Sequence, residues 1–254
     1  MKNIQLCAAM LLLACSLMVQ AAEKREQIYE VGADVDAKGR TTATQVEPNV
    51  PASIAAVLGS AVKQWQFVPA TRNGQPVPAH TFVYTRLQAF PNASGQYNVR
   101  ISYVGNGPRI FSKPPRYPMQ AIRQGESAFV VLEATLQPDG KLSHMKVSSK
   151  FEHWPLNFYF KDAVLAIAKQ WHGIPEQVDG QPVATQVRIP VSFTLDRPEF
   201  TEAQIKILRE AARKEDATAE AEAARPAIPL PSDQEVALDS PLQPRAVATI
   251  TTAP

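Results

Sequence analysis

One short sequence occurs twice in this chain at a fixed distance. Val62-Lys63-Gln64-Trp65 is followed by Gly74-Gln75-Pro76-Val77, and Ala168-Lys169-Gln170-Trp171 by Gly180-Gln181-Pro182-Val183. Every position is displaced by 106 residues, and the same offset carries Pro69 onto Pro175. An offset that holds across a helix, a turn and a strand marks a duplicated unit. Two copies are too few for a solenoid, so the repeat predicts two small domains in tandem. The residues before each Trp agree. Phe160, Ala163, Val164, Ile167, Ala168 and Trp171 form one apolar stripe at helical spacing, and Ile54, Val57, Leu58, Ala61, Val62 and Trp65 form its counterpart. Both stripes and both Trp residues are expected in cores.

The start of the chain reads as an export signal. Lys2 is the only charge before Glu23, and the apolar run from Ile4 to Val19 ends in small residues. That pattern predicts a secretory signal peptide over residues 1–22. Leu12-Leu13-Ala14-Cys15 also resembles a bacterial lipoprotein box, which would lipidate Cys15 and hold the chain at a membrane. Cys7 and Cys15 both lie in the leader, so its removal leaves no thiol, no disulfide and no cysteine metal site. Beyond Lys2 the chain carries 25 basic and 24 acidic residues. Such a balance offers no field to attract nucleic acid.

Each copy reads as α+β. In the first, residues 24–90, the alternation Tyr29, Val31, Ala33, Val35 predicts a strand that turns at Asp36–Gly39 into a second strand to Val46. A helix to Trp65 follows. Gln66 to Ala70 is then expected to pair with Val77 to Leu87 across Asn73-Gly74, the dipeptide favoured by type I′ turns. Residues 91–112 are a connector with one strand near Tyr97 to Val104. The second copy, 113–197, adds Tyr117-Pro118 and a short helix from Met119 to Arg123 closed by Gly125. It continues with a strand Ala128 to Leu136, a turn at Pro138-Asp139-Gly140, a strand Leu142 to Ser149, the helix ending in Trp171, the turn Asp179-Gly180, and a last strand Val183 to Leu195.

Tyr117-Pro118 with its helix, Gly125, Pro138-Asp139-Gly140, the helix ending in Trp171, Pro175, Asp179-Gly180-Gln181-Pro182-Val183 and Ile189-Pro190-Val191-Ser192-Phe193 together resemble the TonB C-terminal domain. The resemblance is full over 113–197 and reduced over 28–88, where the Tyr-Pro element is missing. It implies a short antiparallel sheet packed with one or two helices. It also implies recognition of an extended segment, the TonB box, of an outer-membrane transporter by strand addition. The implied partner-strand edge comprises Val187, Ile189, Val191 and Phe193, with Arg116 and Tyr117 as secondary contacts. Pro190 within that strand fits an exposed edge, where its missing N–H is tolerated, and equally fits protection against edge-to-edge aggregation.

A full transducer of this family keeps a membrane helix carrying a His and a long Pro-rich linker. Here no His precedes His80, and the first copy starts a few residues after the leader. The expectation is therefore a periplasmic, non-catalytic, TonB-like binding protein. Its partner would be an outer-membrane transporter or another envelope protein, with membrane contact only through a retained or lipidated N-terminus. The alternatives are a scaffold that binds peptidoglycan or another envelope protein, and a transducer subunit facing the periplasm. No catalytic, cofactor-binding or metal residues are expected: His80, His144, His153 and His172 have no paired spacing, and no nucleophile or phosphate-loop motif is present. Residues 199–225 read as a charged, Ala-rich helix opened by a Thr201–Gln204 capping box and a Phe200–Ile205 staple. Residues 226–254, with six prolines and no periodicity, read as disordered.

Overall fold

A computed structural model describes residues 25–92, 97–150, 155–195 and 236–252. The expected signal peptide and the expected helix at 199–225 lie outside the described residues. In chain order the elements are β1 (Arg25–Val35), β2 (Thr41–Val46), α1 (Ala52–Lys63), β3 (Gln66–Val68), β4 (Ala70–Arg72), β5 (Gln75–Val77), β6 (Ala79–Pro91) and β7 (Tyr97–Gly107). They continue with β8 (Arg109–Phe111), α2 (Met119–Gln124), β9 (Ala128–Leu136), β10 (Leu142–Ser149), α3 (Phe158–Ala168), β11 (His172–Ile174), β12 (Gln177–Val178), β13 (Gln181–Pro182) and β14 (Thr185–Phe193). The last three strands are β15 (Val236–Ala237), β16 (Gln243–Ala246) and β17 (Ile250–Thr252). The described residues are sheet-rich with few helices, consistent with an α+β fold.

Buried apolar residues fall into two clusters. The first joins Val31, Ala33 and Val35 of β1 to Leu58, Ala61 and Val62 of α1, and adds Trp65, Phe67, Ile101 and Leu242. The second joins Val130, Leu132 and Ala134 of β9 to Phe160, Val164 and Ala168 of α3, with Trp171 and alternate residues of β14. Each helix thus lays its apolar stripe across a sheet whose alternate residues face it.

The same local devices recur in both halves. After each first hairpin strand, Gly39 (φ 80°) and Gly140 (φ 81°) adopt the left-handed conformation. Gly39 O accepts the Phe67 N–H at 2.8 Å, and Gly140 O accepts the Gly173 N–H at 2.8 Å. A Cβ at Gly39 would stand 1.9 Å from Phe67 O, and one at Gly140 2.6 Å from Gly173 O. Only glycine satisfies both the dihedral and the close approach. The two later turns, Asn73-Gly74 and Asp179-Gly180, have positive φ at both residues, as a type I′ hairpin demands. In α2, Gly125 at φ 64° ends the helix while the Glu126 N–H reaches back to Ala121 O at 2.9 Å.

Two expectations need correction. Across Asn73-Gly74 the strands that pair are β4 and β5, whereas β3 pairs with β16 from the far end of the chain. The long strand β6 instead lies between β1 and β7. Residues 236–252, expected to be disordered, form β15, β16 and β17, each added to a different existing strand. Edge addition needs backbone groups and one or two anchoring side chains rather than a periodic apolar face, so composition did not reveal it. The anchor is Leu242, 1 % exposed within the first cluster.

A polar knot sits where the two clusters meet. Glu176 is fully buried, and its carboxyl accepts hydrogen bonds from Thr81 Oγ1 at 2.6 Å, Ser240 Oγ at 2.7 Å and Thr185 Oγ1 at 3.2 Å. Asn106 Nδ2 donates to Ser240 Oγ at 2.8 Å and to Leu242 O at 3.1 Å. Strands β6, β7 and β14 and the 240–242 segment are thereby tied to one carboxyl group. Burial pushes the Glu176 pKa up, against the lowering effect of the three hydroxyls.

Candidate functional site

Strand β14 has β9 along the whole of one edge, from Thr185↔Leu136 to Phe193↔Ala128. Its other edge meets β15 only at Val187↔Ala237 and Arg188↔Val236. The Leu238 N–H donates to Gln186 O at 2.8 Å, and the Gln186 N–H donates to Asp239 Oδ1. Gln186 therefore turns its backbone groups to the outer edge. Because a strand alternates, so do Arg188, Pro190 and Ser192, with Thr194 next in the alternation. Among the described residues, no strand pairs with the outer edge beyond Arg188.

That open half of the edge borders a groove of about 380 Å³. Ile189, Pro190, Val191, Ser192, Phe193 and Thr194 form one wall, Ser112, Lys113, Pro114, Pro115 and Tyr117 the other, and Trp171 also lines it. The second wall is held by the Trp171 indole, whose Nε1–H donates to Lys113 O at 3.0 Å. It is held also by Tyr117, whose ring packs edge-on against Phe193 at 5.6 Å and whose hydroxyl donates to Glu126 O at 2.6 Å. Burial raises the Tyr117 pKa, so the phenol stays neutral as a donor.

The residues named from sequence are distributed as follows. Val187, Ile189, Val191 and Phe193 do lie on the strand, but their side chains enter the second cluster and their backbone groups face β9. The outward set is Arg188, Pro190, Ser192 and Thr194, of which sequence reasoning weighed only Pro190. Apolar alternation identifies which face of a strand is buried, and the intervening positions were the available signal for the open edge. Tyr117 borders the groove and is also a packing residue; Arg116 beside it is exposed. Trp171 was read as core and is core, yet it also lines the groove. Among the described residues, no cluster of His, Cys, Asp and Glu is disposed to hold a metal. Among them also, no helix is long and apolar enough to cross a membrane.

Comparison with known proteins bears on this half of the chain. Residues 113–195 match the family model described as Gram-negative bacterial TonB protein C-terminal. The chain is 32 % identical over 98 residues to the protein TonB of Xanthomonas campestris pv. campestris strain B100, and equally to that of another strain of the same pathovar. The matched stretch is 37 % of this chain and 42 % of each relative, so the chain spans about two fifths of the length of the curated relatives it matches. With its β9–β10 hairpin, its α3 ending in Trp171 and its last strand β14, the unit at residues 113–195 belongs to the TonB C-terminal domain family.

Proposed function

We propose that residues 113–195 bind an extended segment of an envelope partner by strand addition along the outer edge of β14, in TonB-dependent outer-membrane transport. The partner is an outer-membrane transporter, and the protein acts in the periplasm without catalysis. The observation that carries the reading is the half-open edge. Among the described residues, the outward backbone groups of β14 beyond Arg188 border a groove instead of a strand. Main-chain hydrogen bonds of this kind supply affinity, and pockets for alternate side chains supply selectivity. Pro190 subtracts one donor from that edge and leaves its carbonyl available.

The first unit is, in this reading, a second copy of the same domain whose corresponding edge is already filled. By the 106-residue offset β14 corresponds to β6, and β6 is paired by β7 from Phe82 to Pro91. The first copy thus has a supporting role and the second carries recognition.

The test is a titration of the full chain with synthetic TonB-box peptides, followed by backbone amide shifts. Shifts at Ser192 and Thr194 are the expected result. A folded protein that shows none at millimolar peptide overturns the reading.

A further inference from the structure

The chain contains its own example of how this groove is filled. Trp65 Nε1–H donates to Ala248 O at 2.9 Å, as Trp171 Nε1–H donates to Lys113 O at 3.0 Å. Just after each Trp a short strand pairs with a segment from elsewhere in the sequence. In the first unit Val68, Phe67 and Gln66 face Gln243, Pro244 and Ala246. In the second, Ile174, Gly173 and His172 face Arg109, Ile110 and Phe111. In both cases the carbonyl that receives the indole N–H lies two residues further on. The stretch from 243 to 252 therefore stands to the first unit as the stretch from 109 to 117 stands to the second.

Two residues past Ala248, β17 begins. It pairs with β7 (Ile250↔Ile101, Thr252↔Val99), while the other edge of β7 pairs with β6 (Leu87↔Ile101, Ala89↔Val99). Strand β7 is thus held from both sides. In the second unit the counterparts are Pro115 to Tyr117 on one side and Phe193 onward on the other. Between them lies the groove.

We propose that this groove is a two-sided slot for an extended peptide: the partner strand lies between β14 and the Ser112–Tyr117 segment, antiparallel to β14, in the register that β7 holds on β6. This rests on the strand-addition reading above. The register names the side chain that matters most. Tyr103 of β7 lies opposite Thr85 and packs edge-on against Trp65, with ring centroids 5.6 Å apart. The corresponding residues are Val191 and Trp171, and both line the groove. The peptide residue opposite Val191 is accordingly bulky and apolar or aromatic. The next two inward-facing residues, in the places of Ile101 and Val99, are aliphatic. Pro190 is accommodated as well. The β6–β7 ladder has a bulge between Tyr84 and Thr85, the counterparts of Pro190 and Val191, so the pairing breaks step where the donor is missing.

The experiment uses the labelled full chain and a synthetic peptide with the sequence of Tyr97–Gly107, alone and with its Tyr103 replaced by Ala. The unmodified peptide is expected to shift amides on both walls, Ser192 and Thr194 on one and Arg116 and Tyr117 on the other. The Tyr103→Ala peptide is expected to bind up to about tenfold more weakly, the scale of an aromatic pair. Shifts confined to β14, with Arg116 and Tyr117 unmoved, overturn the two-sided slot and leave strand addition standing. So does binding of TonB-box peptides without binding of the β7 peptide, or equal affinity of the two β7 peptides. Failure of every peptide overturns both.

Discussion

Replacing Leu242 by Ala separates a structural C-terminal segment from a disordered one. The side chain is 1 % exposed and belongs to the cluster built by Trp65, Phe67 and Leu58, more than 170 residues earlier in the chain. Truncation removes three buried carbon groups at ~0.8 kcal/mol each, about 2.4 kcal/mol of transfer free energy. The space left behind cannot collapse fully between β3 and β7, and a cavity contribution brings the expected loss to about 3 kcal/mol. Leu238→Ala is the control. Leu238 lies four residues away and is 50 % exposed, so its loss is expected within about 0.5 kcal/mol. Urea unfolding followed by tryptophan fluorescence reads both, because Trp65 donates its indole N–H to Ala248 in the same segment. Equal and negligible effects of the two substitutions would refute the reasoning, since a tail without packing has no reason to distinguish them.

Four further substitutions probe other parts of the molecule. Ser192→Pro removes an outward N–H from β14 at a place where Pro190 already shows proline to be compatible with the strand. Peptide affinity is expected to fall at least about tenfold, with stability kept within about 1 kcal/mol, and retained affinity in a calorimetric titration counts against edge pairing. Gly39→Ala is expected to cost well above the about 1–2 kcal/mol of a left-handed residue, because its Cβ meets Phe67 O. Gly74→Ala at φ 77°, with no atom within 4 Å of its Cβ, shows the dihedral cost alone; equal losses in chemical denaturation would remove the collision from the account. Glu176→Gln tests the buried carboxyl. Its folded pKa lies above the unfolded value, so the protonated form's stabilising contribution is full below the ordinary value of 4.5 and is lost as pH rises through the raised value. The parent is expected to lose stability relative to the Gln variant as pH rises above about 4.5, and parallel stability–pH curves would contradict it.

What the sequence disclosed was local. The two turns with positive φ, the helices ending near Trp65 and Trp171, and the strands Ala128–Leu136 and Leu142–Ser149 each depend on a few neighbouring residues, and they stand where the patterns put them. The pairing of β3 with β16 does not. Its partners are some 175 residues apart, and Gln243-Pro244-Arg245-Ala246 has nothing in common with Arg109-Ile110-Phe111 except backbone. The same limit explains the choice of Val187, Ile189, Val191 and Phe193. Apolar alternation reports which way side chains point, while recognition at an edge depends on which way N–H and C=O point, and those belong to the residues in between.

The clasp formed by residues 240–252 also sets an order of events. A chain is made from its N-terminus, and segments generally fold as they become complete. The second unit needs nothing beyond Leu195 for its sheet of β9, β10 and β14 apart from the short β15. The first unit lacks Leu242, the acceptor for Trp65 and the neighbour of β7 until residue 252 has been made. The earliest half of the protein is therefore the last to close. Until it does, the edges of β3 and β7 stand open to any passing strand, and any loss of residues 243–252 acts on the oldest part of the fold.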